Sequence, residues 1–182
     1  MNEINILGHG DGWELAPQDN CWGLNDFLTV RKVDLLFDMH NLPRVLSGKD
    51  KLERRTIDQV RAGLVLANQT STPVYSLDTW FECLKYPLEE IVERFKSDYF
   101  SCSVSYAIAF ALFENYKKIN LYGIALGIGS EYSFQKPSVE FWIGMAKGTG
   151  VEVNILGETE LLTIPSRHLY GYNIKQGEIK SG

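Results

Sequence analysis

The chain is poor in cysteine. Cys21, Cys83 and Cys102 make an odd number, with no CxxC pair and no Cys/His spacing suited to a metal. A chain of 182 residues can bury a real core without a disulfide framework. Each thiol is therefore read as a small buried apolar side chain, and a reducing cytoplasm is the expected compartment. Basic residues are scarce as well: 18 Lys and Arg stand against 23 Asp and Glu, for a net charge of −5. Proteins that neutralise a phosphate backbone carry a basic excess, so nothing favours nucleic acid as a partner. The densest cationic clusters are Lys49, Lys51, Arg54 and Arg55, then Lys117 and Lys118. They alternate with acids or apolar residues and read as solvated helix faces. Long apolar runs are missing too. The longest, Val104 to Phe113, contains Ser105 and Tyr106 and falls short of the roughly 18 residues of a membrane span, so no membrane partner is expected. The opening MNEINILGHGDG has neither the basic region nor the apolar stretch of a signal peptide. With no repeat, low-complexity tract or Pro/Gly/Ser linker, one domain over residues 1–182 is expected, its tail frayed after about residue 175.

Short apolar runs and helical periods alternate along the chain. Strands are expected at Ile4–Leu7, Cys21–Leu24, Val33–Met39, Pro73–Leu77, Ile119–Tyr122 and Val151–Ile155, with an edge strand at Leu169–Ile174. Lys51–Ala67 reads as a helix, because Ile57, Val60, Leu64 and Ala67 recur at spacings of three and four. Pro87 starts a second helix. Ser101 or Ser103 caps a third, apolar nearly all round, that runs to about Tyr116. Pro137 opens a fourth, ended by Gly148 and Gly150. Strand–helix alternation implies an α/β fold: a Rossmann-like three-layer domain with a mostly parallel sheet covered on both faces.

Ligands of such sheets bind beyond the carboxyl ends of the strands. The residues that follow the strands are therefore the candidate site. They are Gly8-His9-Gly10-Asp11-Gly12, then Asn25-Asp26, His40-Asn41 and Asp78, and a long segment with Ser130, Glu131, Tyr132, Gln135 and Lys136. The first turn has the spacing GHGDG, which is neither the dinucleotide pattern GxGxxG nor a P-loop. Its glycines still permit close backbone approach to a phosphate or ribose, or form a tight turn. Ser101, Ser103 and Ser105 open a helix whose free N–H groups favour an anion. His40, two residues after Asp38, reads either as a structural histidine or as a general acid/base or phosphate donor, and His9 shares that ambiguity. Glu131 and Glu140 are the candidate carboxylates. Glu131 is the more functional reading, and Glu140 reads better as a surface acid paired with Lys136. Paired acids could hold Mg²⁺. Tyr132 and Trp13 could stack on a base.

Several segments resemble a known group. ILGHGDGWELAPQ, CWGLND, VDLLFDMHN, YFSCSVSYAIAFAL, INLYGIAL and EYSFQKPSVEFWIGMAKGTGVEV, together spanning about residues 4 to 160, resemble small Rossmann-like proteins common in bacteriophage genomes. More distantly, the order of segments is similar to archaeal 6-hydroxymethylpterin diphosphokinase and to sialyltransferase-like domains. In those, a Gly-Ser turn follows the first strand, an Asn ends the second and a Ser-rich helix start precedes the LYG strand. Gly12 stands here where their serine is expected. The resemblance implies nucleotide binding by Gly8, Gly10, Asn25, Ser103 and Gly123, and a host cytoplasmic location for a phage-encoded chain. The functional expectation is a nucleotide-dependent transferase. His40 or Glu131 would be its base, Asn25 or Asp26 would hold ribose, and Gly8, His9, Gly10, Asp11, Ser101, Ser103, Gly123 and Tyr132 would complete the nucleotide contacts. The alternative is a non-enzymatic phage protein that binds and sequesters a nucleotide or signalling nucleotide. A homo-oligomer is compatible with either.

Overall fold

A computed structural model describes residues 2–52, 55–79, 82–127 and 132–179. The strands are β1 (Glu3–Leu7), β2 (Cys21–Leu24), β3 (Leu35–Phe37), β4 (Val74–Ser76), β5 (Leu84–Lys85), β6 (Lys118–Tyr122) and β7 (Glu152–Leu156). The helices are α1 (Leu42–Leu46), α2 (Ile57–Gln69), α3 (Leu88–Phe95), α4 (Ser103–Phe113) and α5 (Tyr132–Gly148). The strands form one sheet in the order β5-β4-β3-β2-β1-β6-β7, and every pairing is parallel. The fold is α/β and Rossmann-like, with helices on both sides of the sheet.

Strand alternation divides the core in two. Ile4, Ile6, Trp22, Leu24, Leu35, Phe37, Ile119, Leu121 and Val153 pack on one face with residues of α3, α4 and α5. Leu7, Cys21, Leu36, Val74 and Tyr122 pack on the other with Leu42 and Val45 of α1 and Val60, Leu64 and Ala67 of α2. Nearly all of α4 is buried, which explains its lack of a polar stripe.

The structure corrects several sequence expectations. β3 is shorter than Val33–Met39. α1 and β5 escaped notice because each is too short to show a period. α2 begins at Ile57 rather than Lys51: Thr56 Oγ1 accepts from Gln59 N (3.2 Å) and Gln59 Oε1 accepts from Thr56 N (2.8 Å), a reciprocal cap. Pro137 lies inside α5 rather than opening it. Leu169–Ile174 forms no strand; a single antiparallel bridge joins His168 to Lys175.

On the α1/α2 side, β1, β6 and β7 carry two in-register polar rows, Glu3–Lys118–Glu152 and Asn5–Asn120–Asn154. All of these except Glu152 line a shallow depression of about 600 Å³. The segment after β7 turns instead towards the β6 loop and α5. Thr159 Oγ1 donates to Ile124 O (2.7 Å), and Leu162 N donates to Glu140 Oε1 (2.5 Å). Among the described residues, no helix is long and apolar enough to cross a membrane.

Candidate functional site

Strand order places the carboxyl ends of β1, β2 and β3 side by side, and each delivers a polar residue to the rim. β2 ends at Asn25, whose φ of +60° is a left-handed conformation that asparagine tolerates. Asn25 N donates to Phe37 O (2.8 Å), and Asn25 Oδ1 accepts from Ser103 Oγ (3.0 Å) at the start of α4. The Asn25 amide nitrogen has no partner among the described residues.

The next residues form a continuous ionic chain. His9 Nε2 lies 3.2 Å from Asp26 Oδ1, and Asp26 lies 3.9 Å from Arg55 Nη1. Arg55 reaches Asp38 with both terminal nitrogens, at 2.8 and 3.1 Å. Asp38 Oδ1 is 2.6 Å from His40 Nδ1. The Arg55 side chain is only 9% exposed and that of Asp38 4%, whereas His40 and His9 are 35% and 42% exposed. The buried Asp38 and Arg55 therefore hold one accessible imidazole, His40, and Asp26 holds the other, His9.

Electrostatics fit that division. Burial by itself would raise the Asp38 carboxyl. The His40 hydrogen bond and the Arg55 charge outweigh it and hold Asp38 below the usual carboxylate range. Asp26 behaves the same way: burial raises it, and the His9 hydrogen bond and Arg55 charge lower it further. His40 Nδ1 is also 2.8 Å from Arg55 Nη2. One ring nitrogen cannot donate to Asp38 and accept from Arg55 at once. The shorter, charge-assisted contact assigns its proton to the Asp38 bond. That leaves His40 Nε2 as a free acceptor, without a partner among the described residues.

Arg55 was missed in the sequence, where it read as part of a solvated cationic face. It is instead the buried centre of the rim. The signal that could have found it is Thr56-Ile57-Asp58-Gln59, a capping box that starts the helix one residue after Arg55. Asp38 was noticed only as a neighbour of His40. Gly63 of α2 is a third participant: a Cβ there would come within 3.2 Å of Asp26 Cβ, so the glycine admits the carboxylate.

The other candidates are placed as follows. Gly8 N donates to Tyr122 O (2.9 Å) and Gly10 N to Gly123 O (2.8 Å). Gly123 has φ +65°, and a Cβ there would meet Gly8 O at 2.5 Å and Gly10 O at 2.6 Å. These three glycines thus let the β1 and β6 loops touch backbone to backbone, a packing reason for them that needs no ligand. Asp11 is exposed in the same turn. Trp13 packs edge-on against Phe27, with centroids 5.7 Å apart. The serines before and within α4 separate. Ser101 Oγ bonds Ser138 Oγ and Gln135 O (3.2 Å) of α5, Ser103 meets Asn25, and Ser105 Oγ donates back to Cys102 O (2.7 Å). The N-cap of α4 is Cys102, so neither Ser101 nor Ser103 caps it. Glu140 accepts from Leu162 N and lies 3.5 Å from Lys136 Nζ, which makes it a structural acid. Tyr132 is the first residue of α5. Glu131 lies outside the described residues.

Burial pushes all three thiols up, Cys83 to about 11, so none is primed as a nucleophile. Among the described residues, no three His, Cys, Asp or Glu side chains converge as a metal requires, so no ligand set for Mg²⁺ is assigned. No family model, curated protein or solved structure matches the chain.

Proposed function

We propose that the rim binds a nucleotide or nucleotide sugar and moves its phosphoryl or glycosyl group to a small acceptor, with His40 as general base. One observation carries the reading: a buried Asp38, clamped by Arg55, holds His40 by Nδ1 and leaves Nε2 open. An aspartate that fixes tautomer and orientation is how an imidazole is prepared to take a proton. The ligand class is supported by the topology. Strand order reverses between β1 and β6, and open parallel sheets bind ligands at that point, outside the carboxyl ends. Beside it lie the Asn25 amide nitrogen, without a partner among the described residues, and the amino end of α4, donors suited to phosphate and ribose.

The test is incubation with a panel of nucleotides and nucleotide sugars, with turnover and stoichiometric retention measured separately. Turnover by the wild type is expected to fall by about 10²–10⁴ in His40→Ala with retention intact. Retention without turnover, in wild type and variant alike, supports a sequestering protein instead. Neither retention nor turnover rejects both.

A further inference from the structure

Resting on that reading, we propose that the rim is a two-imidazole acid–base site for a nucleotide phosphodiester. His40 takes the proton of the attacking hydroxyl, and His9 gives one to the leaving oxygen.

The two histidines are held alike. Each is bonded to a carboxylate, His9 to Asp26 and His40 to Asp38, and the two carboxylates share Arg55. The attachment is opposite in sense. Asp26 holds His9 by Nε2, whereas Asp38 holds His40 by Nδ1, and neither His9 Nδ1 nor His40 Nε2 has a partner among the described residues. His9 is further fixed by the Phe27 ring, 5.1 Å away between centroids. β1 and β3 flank β2, so their ends are about 10 Å apart at the usual strand spacing of about 4.8 Å. That order places the two imidazoles on turns either side of the end of β2. Attacking and leaving oxygens lie on opposite sides of phosphorus, and each imidazole stands about 3 Å further out.

The second imidazole also selects the substrate class. A nucleotide sugar releases a nucleoside diphosphate, which departs without a proton. An alcohol leaving from a phosphodiester departs as an alkoxide unless protonated, and there an acid is needed. The step balances. Water or an acceptor alcohol loses its proton to His40 Nε2 and forms the new O–P bond. The bond from phosphorus to the leaving oxygen breaks, and that oxygen takes the proton from His9 Nδ1. Solvent then removes a proton from His40 and returns one to His9. Arg55 touches no reacting atom and is a positioning residue.

The experiment compares thymidine 5′-phosphate esterified with methanol and with p-nitrophenol, a leaving group that needs no proton. The wild type is expected to cleave both. His9→Gln should slow the methyl ester by about 100-fold and leave the p-nitrophenyl ester within about threefold, while His40→Gln slows both. Equal losses on both esters in His9→Gln, or no loss on either, overturn the assignment of His9. Turnover of a nucleotide sugar with neither ester cleaved leaves the proposed function standing and rejects this inference alone. A second readout needs no substrate. In ¹⁵N spectra taken where both rings are neutral, His40 should carry its proton on Nδ1 and His9 on Nε2, and Arg55→Lys should perturb both rings. The same tautomer in both histidines overturns the proposal.

Discussion

At the scale of single residues, Asp38 carries the greatest consequence. It is buried, charged and bonded to Arg55 and His40, so replacing it removes the bidentate partner of a buried guanidinium and leaves only the more distant Asp26, 3.9 Å away. Breaking such a pair costs about 3–5 kcal/mol, so Asp38→Asn should lower the urea midpoint by a large fraction of total stability. A change within about 0.5 kcal/mol would mean that Arg55 finds another partner. The acid limb follows from the same geometry. The folded carboxyl titrates below its unfolded value of about 3.9, so between the two values the unfolded chain binds the extra proton. The stabilisation is complete above the unfolded value and is lost as the pH falls through the folded one. Wild type should therefore lose stability below about pH 4 more steeply than Asp38→Asn, which keeps the shares of Asp26 and Asp50 but not that of Asp38.

At the scale of elements, glycines of opposite meaning separate packing from propensity. Gly123 is left-handed, and two backbone carbonyls stand where a Cβ would go. Backbone cannot yield as a side-chain tip can, so Gly123→Ala should cost about 1–3 kcal/mol or more and loosen the turn that carries His9. Gly144 sits exposed in the middle of α5 with nothing within 4 Å of a Cβ, so Gly144→Ala should stabilise by about 0.5–1 kcal/mol. Thermal unfolding of the two variants checks both signs; a destabilised Gly144→Ala would reveal an unseen contact on that face. The sequence made this level partly legible. Short runs bounded by turn residues located β1, β2, β6 and β7, because their apolar residues outweigh the single asparagine that β1, β6 and β7 each carry. The residues trailing β1, β2 and β3 could then be assigned to one rim, where His9, Asn25, Asp26, His40 and Ser103 do gather. Arg55 could not be placed that way. It follows no strand, and its burial depends on α2 starting at Thr56, a local capping signal outweighed by the helical period read from Lys51. Pro137 misled for a related reason: proline favours a first turn, but the packing of Val139, Trp142 and Ile143 extends α5 around it.

At the scale of the whole molecule, the sheet has an apolar half and a polar quarter. A parallel sheet is normally buried on both faces, so the rows on β1, β6 and β7 must satisfy themselves. Asn120 Nδ2 donates to Asn5 Oδ1 (3.0 Å), and Asn154 Nδ2 donates to Asn120 Oδ1 (3.0 Å). Asn5 Nδ2 donates in turn to the carbonyls of Asp19 (3.3 Å) and Asn20 (3.0 Å), which ties the ladder to the segment leading into β2. Lys118 lies between Glu3 and Glu152, at 3.5 and 3.7 Å, and bridges the two acids of the row beside it. The ladder thus links three strands through side chains alone and reaches the entry to a fourth through backbone carbonyls, in addition to the backbone pairing. Asn120 is its centre and is buried, so Asn120→Leu removes two bonds and leaves Asn5 Oδ1 without a donor. The expected cost is about 1–3 kcal/mol, against less than about 1 kcal/mol for Asn154→Ala at the open end, where water replaces the lost partner. Urea denaturation of both variants decides the matter. A leucine at position 120 that equals or exceeds wild-type stability would show that the row is polar only because water covers it, and that the backbone ladder alone holds β6 between β1 and β7.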